Sequence, residues 1–146
     1  MKKLFFLIAV LVAFISVKAQ TVNYAMPSGA SYMSVITDYN LTNTTVRNFI
    51  YLAPQNFAAT QDYLIQLDSV SGNHTNVAVA LYGAKFSSSA YSQIGSTVNW
   101  EGVSADTTIV ISNATANRYR YYKVVLTGTG TGVTKVDSQE LKLFDQ

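Results

Sequence analysis

From Gln20 onward, apolar and polar residues alternate in short runs that almost never sustain a helical period. A chain patterned with a period of two can bury one side of each run only by building sheets. The predicted strands lie at 31–39, 47–52, 62–70, 76–82, 91–94, 97–100, 107–112, 119–127 and 141–144. Turn-forming residues separate them: 40–44, Ser71-Gly72-Asn73, Gly83, Gly95-Ser96, Glu101-Gly102 and the Thr-Gly repeat of 127–132. So many short strands with brief connections predict an all-β fold, a single antiparallel β-sandwich or jelly-roll-like domain. The segment 53–60, with Pro54, is the predicted long loop.

Ahead of this pattern, Lys2 and Lys3 precede an uninterrupted apolar run from Leu4 to Ile15, followed by Ser16, Val17, Lys18 and Ala19. That order of charged, apolar and small residues is the order of a secretory signal. The apolar run falls short of the roughly 20 residues a helix needs to cross a bilayer, so no permanent membrane span is expected. The expected division is a signal peptide over 1–19, cleaved after Ala19, and a β-sandwich domain over 20–146. The protein is then exported, to a secreted, periplasmic or cell-surface location, with virion association as a further setting.

Removing the leader changes the charge. Three of the ten basic residues, Lys2, Lys3 and Lys18, go with it, while all eight acids stay, leaving a net charge of −1. The sequence pI near 8.8 therefore belongs largely to the leader, and no nucleic-acid partner is expected. The chain has no cysteine. The core must hold without disulfides, and no lipid can be attached at a cleavage-site thiol.

The residues that usually carry catalysis are sparse. His74 is the single histidine, within the turn-like Ser71-Gly72-Asn73-His74-Thr75, and no G-x-S-x-G elbow offers it a nucleophile. One histidine without cysteine does not make a zinc site. The acids Asp38, Asp62, Asp68, Glu101, Asp106, Asp137, Glu140 and Asp145 are scattered, with no calcium-loop spacing. A glycosidase needs only two carboxylates across a cleft, which sequence spacing does not exclude. Gly128-Thr129-Gly130-Thr131-Gly132 lacks the lysine and following helix of a phosphate loop and reads as a turn. The triplets at Asn40, Asn43, Asn73 and Asn113 match N-x-S/T and mark surface loops. The expectation is a non-enzyme with no cofactor, no metal and no catalytic residue. A membrane β-barrel shares the strand number and the export signal, but these strands read as short for crossing a bilayer.

What the chain has in excess is tyrosine: ten, all beyond the leader, with Trp100 the one tryptophan. Tyrosine offers flat apolar area and a polar tip at little entropic cost, which suits sugar stacking and protein contacts alike. Along 76–82 the branched face of Val77, Val79 and Leu81 is expected inward, which leaves Ala78, Ala80 and Tyr82 outward. Along 119–126, Tyr122, Val124 and Leu126 are expected inward, because Lys123 on the opposite face is costly to bury. That places Tyr119 and Tyr121 outward side by side. With Trp100 on a neighbouring turn, they are the predicted contact residues.

The stretch Arg118-Tyr119-Arg120-Tyr121-Tyr122-Lys123-Val124, the Thr-Gly turn and Glu140-Leu141-Lys142-Leu143-Phe144 resemble small β-sandwich proteins found among bacteriophage virion components. Asp68-Ser69-Val70-Ser71-Gly72, the strand at 77–83 and Trp100 match the earlier strands of such a module, for a coverage of about 61–144. The Lys-Lys leader ending in Ala19-Gln20 is similar to those of exported proteins of Bacteroidota and their phages. The resemblance implies building or decorating a particle or cell surface, through protein partners or self-association, and it carries over no catalytic residue. The alternative expectation is a secreted carbohydrate-binding or adhesion module that meets cell-surface glycans through Tyr119, Tyr121 and Trp100.

Overall fold

The computed structural model describes residues 20–27, 32–42, 46–53, 59–71, 74–100 and 107–145. The predicted leader, the tip of the 53–60 loop and Glu101-Gly102 lie outside the described residues. Nine strands run in order: β1 (Gln20–Ala25), β2 (Tyr32–Thr42), β3 (Val46–Leu52), β4 (Ala59–Ser71), β5 (His74–Ala84), β6 (Ser92–Trp100), β7 (Thr107–Asn117), β8 (Tyr121–Gly130) and β9 (Val133–Asp145). They form two sheets, ordered β1-β3-β8-β5-β6 and β2-β9-β4-β7.

Without β1, these two orders are those of a jelly roll, in which two Greek keys interleave. The all-β sandwich expected from the alternation is therefore the fold. One pairing departs from the antiparallel rule: β1 lies parallel to β3, with Gln20 opposite Arg47 and Ala25 opposite Leu52. All other paired strands are antiparallel.

The two inner faces form one core. From β4 come Ala59, Gln61, Tyr63, Ile65 and Leu67; from β5, Val77, Val79 and Leu81; from β8, Tyr122, Val124 and Leu126; all are buried. The inward registers expected for β5 and β8 are thus the observed ones. Phe49 and Tyr51 of β3 and Leu141 of β9 complete the centre. Tyr24 of β1 stacks on Tyr51 with ring centroids 5.4 Å apart, so the edge strand is fastened by a ring as well as by its backbone.

Several strands differ from expectation. The segments 91–94 and 97–100 form one strand, β6, because Gly95 takes φ +65° and lets residues 95–97 bulge opposite Ala80. The turn expected over 127–132 shrinks to Thr131 and Gly132, since β8 continues to Gly130. The short strand expected at 141–144 is the end of a 13-residue strand, β9, lying between β2 and β4. Its first half reads as polar because Lys135, Asp137, Ser138 and Glu140 interrupt the apolar positions, while Val136 and Gln139 are buried between them. The register slips where Gln66 and Leu67 pass Ser138 and Val136.

Candidate functional site

The predicted contact trio does not form one surface. Trp100 ends β6 opposite Val77, partly buried against the core, whereas Tyr121 opens β8 opposite Ala84. Val77 and Ala84 are seven residues apart on β5, roughly 23 Å at about 3.3 Å per residue, so no single small ligand spans both rings. Tyr119 precedes β8 and also leaves Tyr121. Its ring stands edge-on to the buried Tyr122, with centroids 6.1 Å apart at 90°, and occupies the space where a side chain on Gly83 would lie. The cause is the bend at Arg120, whose N–H donates to Ala84 O while its carbonyl accepts from Ala53 N–H. That turn of the backbone breaks the alternation, so Tyr119 faces the core and Tyr121 faces out.

Around Tyr121 the outer face of the five-stranded sheet gathers rings that are far apart in sequence. Lys123, two residues along β8, projects with its Nζ 4.5 Å from the Tyr91 ring centroid and 5.3 Å from that of Tyr82. A cation held over two ring faces is fixed in direction without being neutralised. Burial pushes the Tyr91 phenol up, and the nearby Tyr121 adds to the rise, which places these two rings in one neighbourhood. Sheet register supplies the rest: Leu52 lies opposite Tyr121 and Ile50 opposite Lys123.

Two open depressions meet at Tyr121. One, of about 310 Å³, is mostly apolar and is lined by Asn23, Tyr24, Ala25, Ile50, Leu52 and Tyr121. The other, of about 160 Å³, is lined by Lys85, Phe86, Ser87, Arg120 and Tyr121. Phe86 is 65% exposed there. A ring shared by two adjacent hollows, with an aliphatic floor on one side and cations on the other, has the makings of a stacking platform.

The outer face of the other sheet is arranged differently. Its groove, of about 190 Å³, is lined by Leu64, Ile65, Gln66, Thr108, Ser138 and Glu140. Its polar groups are largely engaged with one another: Thr108 Oγ1 donates to Gln66 Oε1 at 2.6 Å, Gln66 Nε2 to Asp68 at 3.1 Å, and Tyr32 Oη to Glu140 at 3.1 Å. A face whose donors and acceptors already satisfy one another offers a ligand less than one whose cations face outward.

His74 is the first residue of β5, opposite Gly130. Among the described residues, no three His, Cys, Asp or Glu side chains lie close enough together to hold a metal ion. No helix among them is long and apolar enough to cross a membrane. Tyr82 and Lys123 were legible as outward residues from alternation alone. Tyr91 was not, since the segment 85–91 brings it back over β8 and no periodicity records that return.

No protein-family model and no curated protein matches the chain. Among solved structures, dimeric latent PorU from Porphyromonas gingivalis is similar at TM-score 0.52 and 8% identity, over 90% of this chain and 14% of that one. The structure of infectious bursal disease virus, Gx strain, is similar at TM-score 0.50 and 6% identity, over 78% of this chain and 33% of that one. The periplasmic g-type lysozyme inhibitor PliG of Aeromonas hydrophila matches at TM-score 0.43 and 13% identity, over 86% of this chain and 97% of that one. The chain therefore spans about a seventh of the first of these proteins and about a third of the second. At these identities the likeness to them is one of β-sandwich fold alone.

Proposed function

We propose that this chain is an exported, non-catalytic contact module, and that it binds polysaccharide through the outer face of its five-stranded sheet around Tyr121. The observation that carries this reading is the convergence of Tyr82, Tyr91 and Tyr121 around Lys123, beside the aliphatic pair Ile50 and Leu52. Flat rings and aliphatic carbons suit the apolar faces of sugar rings, and strand register holds them in place before a ligand arrives. The strands bearing this face contain neither Asp nor Glu. The paired carboxylates of glycoside hydrolysis have no source there, which favours binding over turnover. Export rests on the Lys2-Lys3 leader and its small-residue end at Ala19.

A second reading, contact with protein partners or with further copies of the chain on a particle or cell surface, draws on Phe86, exposed beside Tyr121. Affinity electrophoresis through a panel of polysaccharides, with sedimentation velocity on the same sample, separates the two. The polysaccharide reading expects a monomer retarded by at least one polymer, with Tyr121→Ala losing about 1–3 kcal/mol of affinity. A stable oligomer that no polymer retards would favour self-association.

A further inference from the structure

The fold divides the charge of the chain between its two sheets. β1, β3, β5, β6 and β8 contain no acid, whereas β2, β4 and β9 hold Asp38, Asp62, Asp68, Asp137, Glu140 and Asp145. On the four-stranded sheet the bases have local counter-charges: Lys135 Nζ lies 3.0 Å from Asp137, and Lys142 Nζ lies 3.3 Å from Glu140. On the aromatic face they do not. Lys123 sits over two tyrosine rings, and Lys85 and Arg120 border the hollow beside Tyr121; among the described residues none of the three meets a carboxylate. A chain with more acid than base beyond its leader thus presents unpaired cations at the place where its rings converge.

We infer that the polymer taken by this face is an anionic polysaccharide, its carboxylate or sulfate groups meeting Lys123, Arg120 and Lys85 while its sugar rings lie on Tyr121 and Tyr91. This rests on the polysaccharide reading above and narrows it. Tyr121 and Lys123 stand two residues apart along β8, roughly 6.6 Å, so one saccharide unit can touch a ring and its neighbour a cation. Three cations are too few for the long phosphate track of a nucleic acid. The aliphatic floor of Ile50 and Leu52 matches the carbon face of a sugar better than a phosphate backbone.

The test is binding of the full mature chain to polygalacturonate and heparin, a neutral β-galactan and a neutral β-glucan, a single-stranded oligonucleotide and phosphatidylglycerol vesicles, each at low and high salt. The expected result is binding to at least one acidic polysaccharide, weakened at least tenfold between about 50 and about 500 mM salt, with the neutral polymers bound weakly or not at all. Lys123→Gln should lower that affinity about tenfold. Lys142→Gln, on the opposite sheet, should leave it unchanged, and circular dichroism of both variants checks folding. Salt-insensitive binding of a neutral polysaccharide as tight as any acidic one overturns the anionic assignment and leaves the polysaccharide reading standing. Binding to no polysaccharide overturns both. Tighter binding to the oligonucleotide or the vesicles overturns the assignment in favour of a phosphate-bearing partner.

Discussion

Tyr51 of β3 and Gln139 of β9 meet across the sandwich: the phenol donates to the amide Oε1 at 2.9 Å, tying one sheet to the other through a polar bond in the core. Tyr63 of β4 donates to the same oxygen at 2.5 Å, and the Gln139 Nε2 donates to Thr37 Oγ1 at 2.9 Å. A buried network satisfied in this way fixes register, and removing its centre strands two hydroxyls at once. Gln139→Leu should destabilise the domain by about 2–4 kcal/mol and Tyr51→Phe by about 1 kcal/mol, read from urea denaturation midpoints. A Gln139→Leu variant as stable as the parent would show that the network contributes nothing net.

Tyr122 makes the opposite case. Its ring is fully buried, and its hydroxyl lies near Gln61 without a hydrogen bond of ordinary geometry. Burial pushes this phenol up to about 12, with Gln61 opposing the rise and Tyr119 adding to it. The phenols of Tyr51 and Tyr63 are also raised, by burial first. Because the folded chain holds these protons more tightly than the unfolded chain, whose tyrosines titrate near 10, stability is full below about pH 10 and falls as pH climbs towards 12 and beyond. Tyrosinate absorbance from Tyr51, Tyr63 and Tyr122 should therefore appear only together with unfolding. Tyr122→Phe should be neutral or slightly stabilising at pH 7, within about 1 kcal/mol, and should move alkaline unfolding upward. A single smooth titration of all the tyrosines, without unfolding, would contradict this.

At Gly83 the constraint is space. A Cβ there would clash with one side of the Tyr119 ring, which is packed edge-on to Tyr122. Gly83→Ala should cost about 1–3 kcal/mol through overpacking. Adding Tyr119→Ala should cost less than the sum of the two single changes, because the clash is gone. Additive losses in the thermal melts of the four variants would place the Tyr119 ring elsewhere.

Trp100 and Tyr121 should separate in their effects. Trp100, partly buried against the core, should lose stability on change to alanine, by about 2–4 kcal/mol, with binding intact once the protein is folded. Tyr121→Ala should do the reverse, lowering polysaccharide affinity with little change in melting temperature. Equal losses of binding in both variants would restore the trio that the sequence predicts as one surface.

The legible part of the fold was what period-two alternation encodes. The inward faces of β5 and β8 follow from single strands, since Val77, Val79 and Leu81, or Tyr122, Val124 and Leu126, sort themselves by chemistry. The first half of β9 was not legible, because a central strand with Lys135, Asp137 and Glu140 on its outer side reads as polar loop until its partners are known. The site was half legible for the same reason. Lys123 and Tyr121 share a face by local geometry, but the bend at Arg120 that removes Tyr119 is set by backbone bonds to Ala84 and Ala53, which come from other strands. β1 was missed because its place depends on a parallel partner, β3, that lies beyond the whole of β2 in the chain.

The position of β9 has a consequence for how the molecule comes into being. It comes last in sequence among the described strands, yet it lies between β2 and β4, with Lys142 opposite both Tyr32 and Asp62. A chain emerging N-terminus first cannot complete its four-stranded sheet until β9 is free, and contacts of such long sequence separation form slowly. Until then β2 has no partner in its sheet and β4 has only β7. Deleting residues 133–145 would take out the middle of a sheet and leave β2 and β4 with an open gap between them.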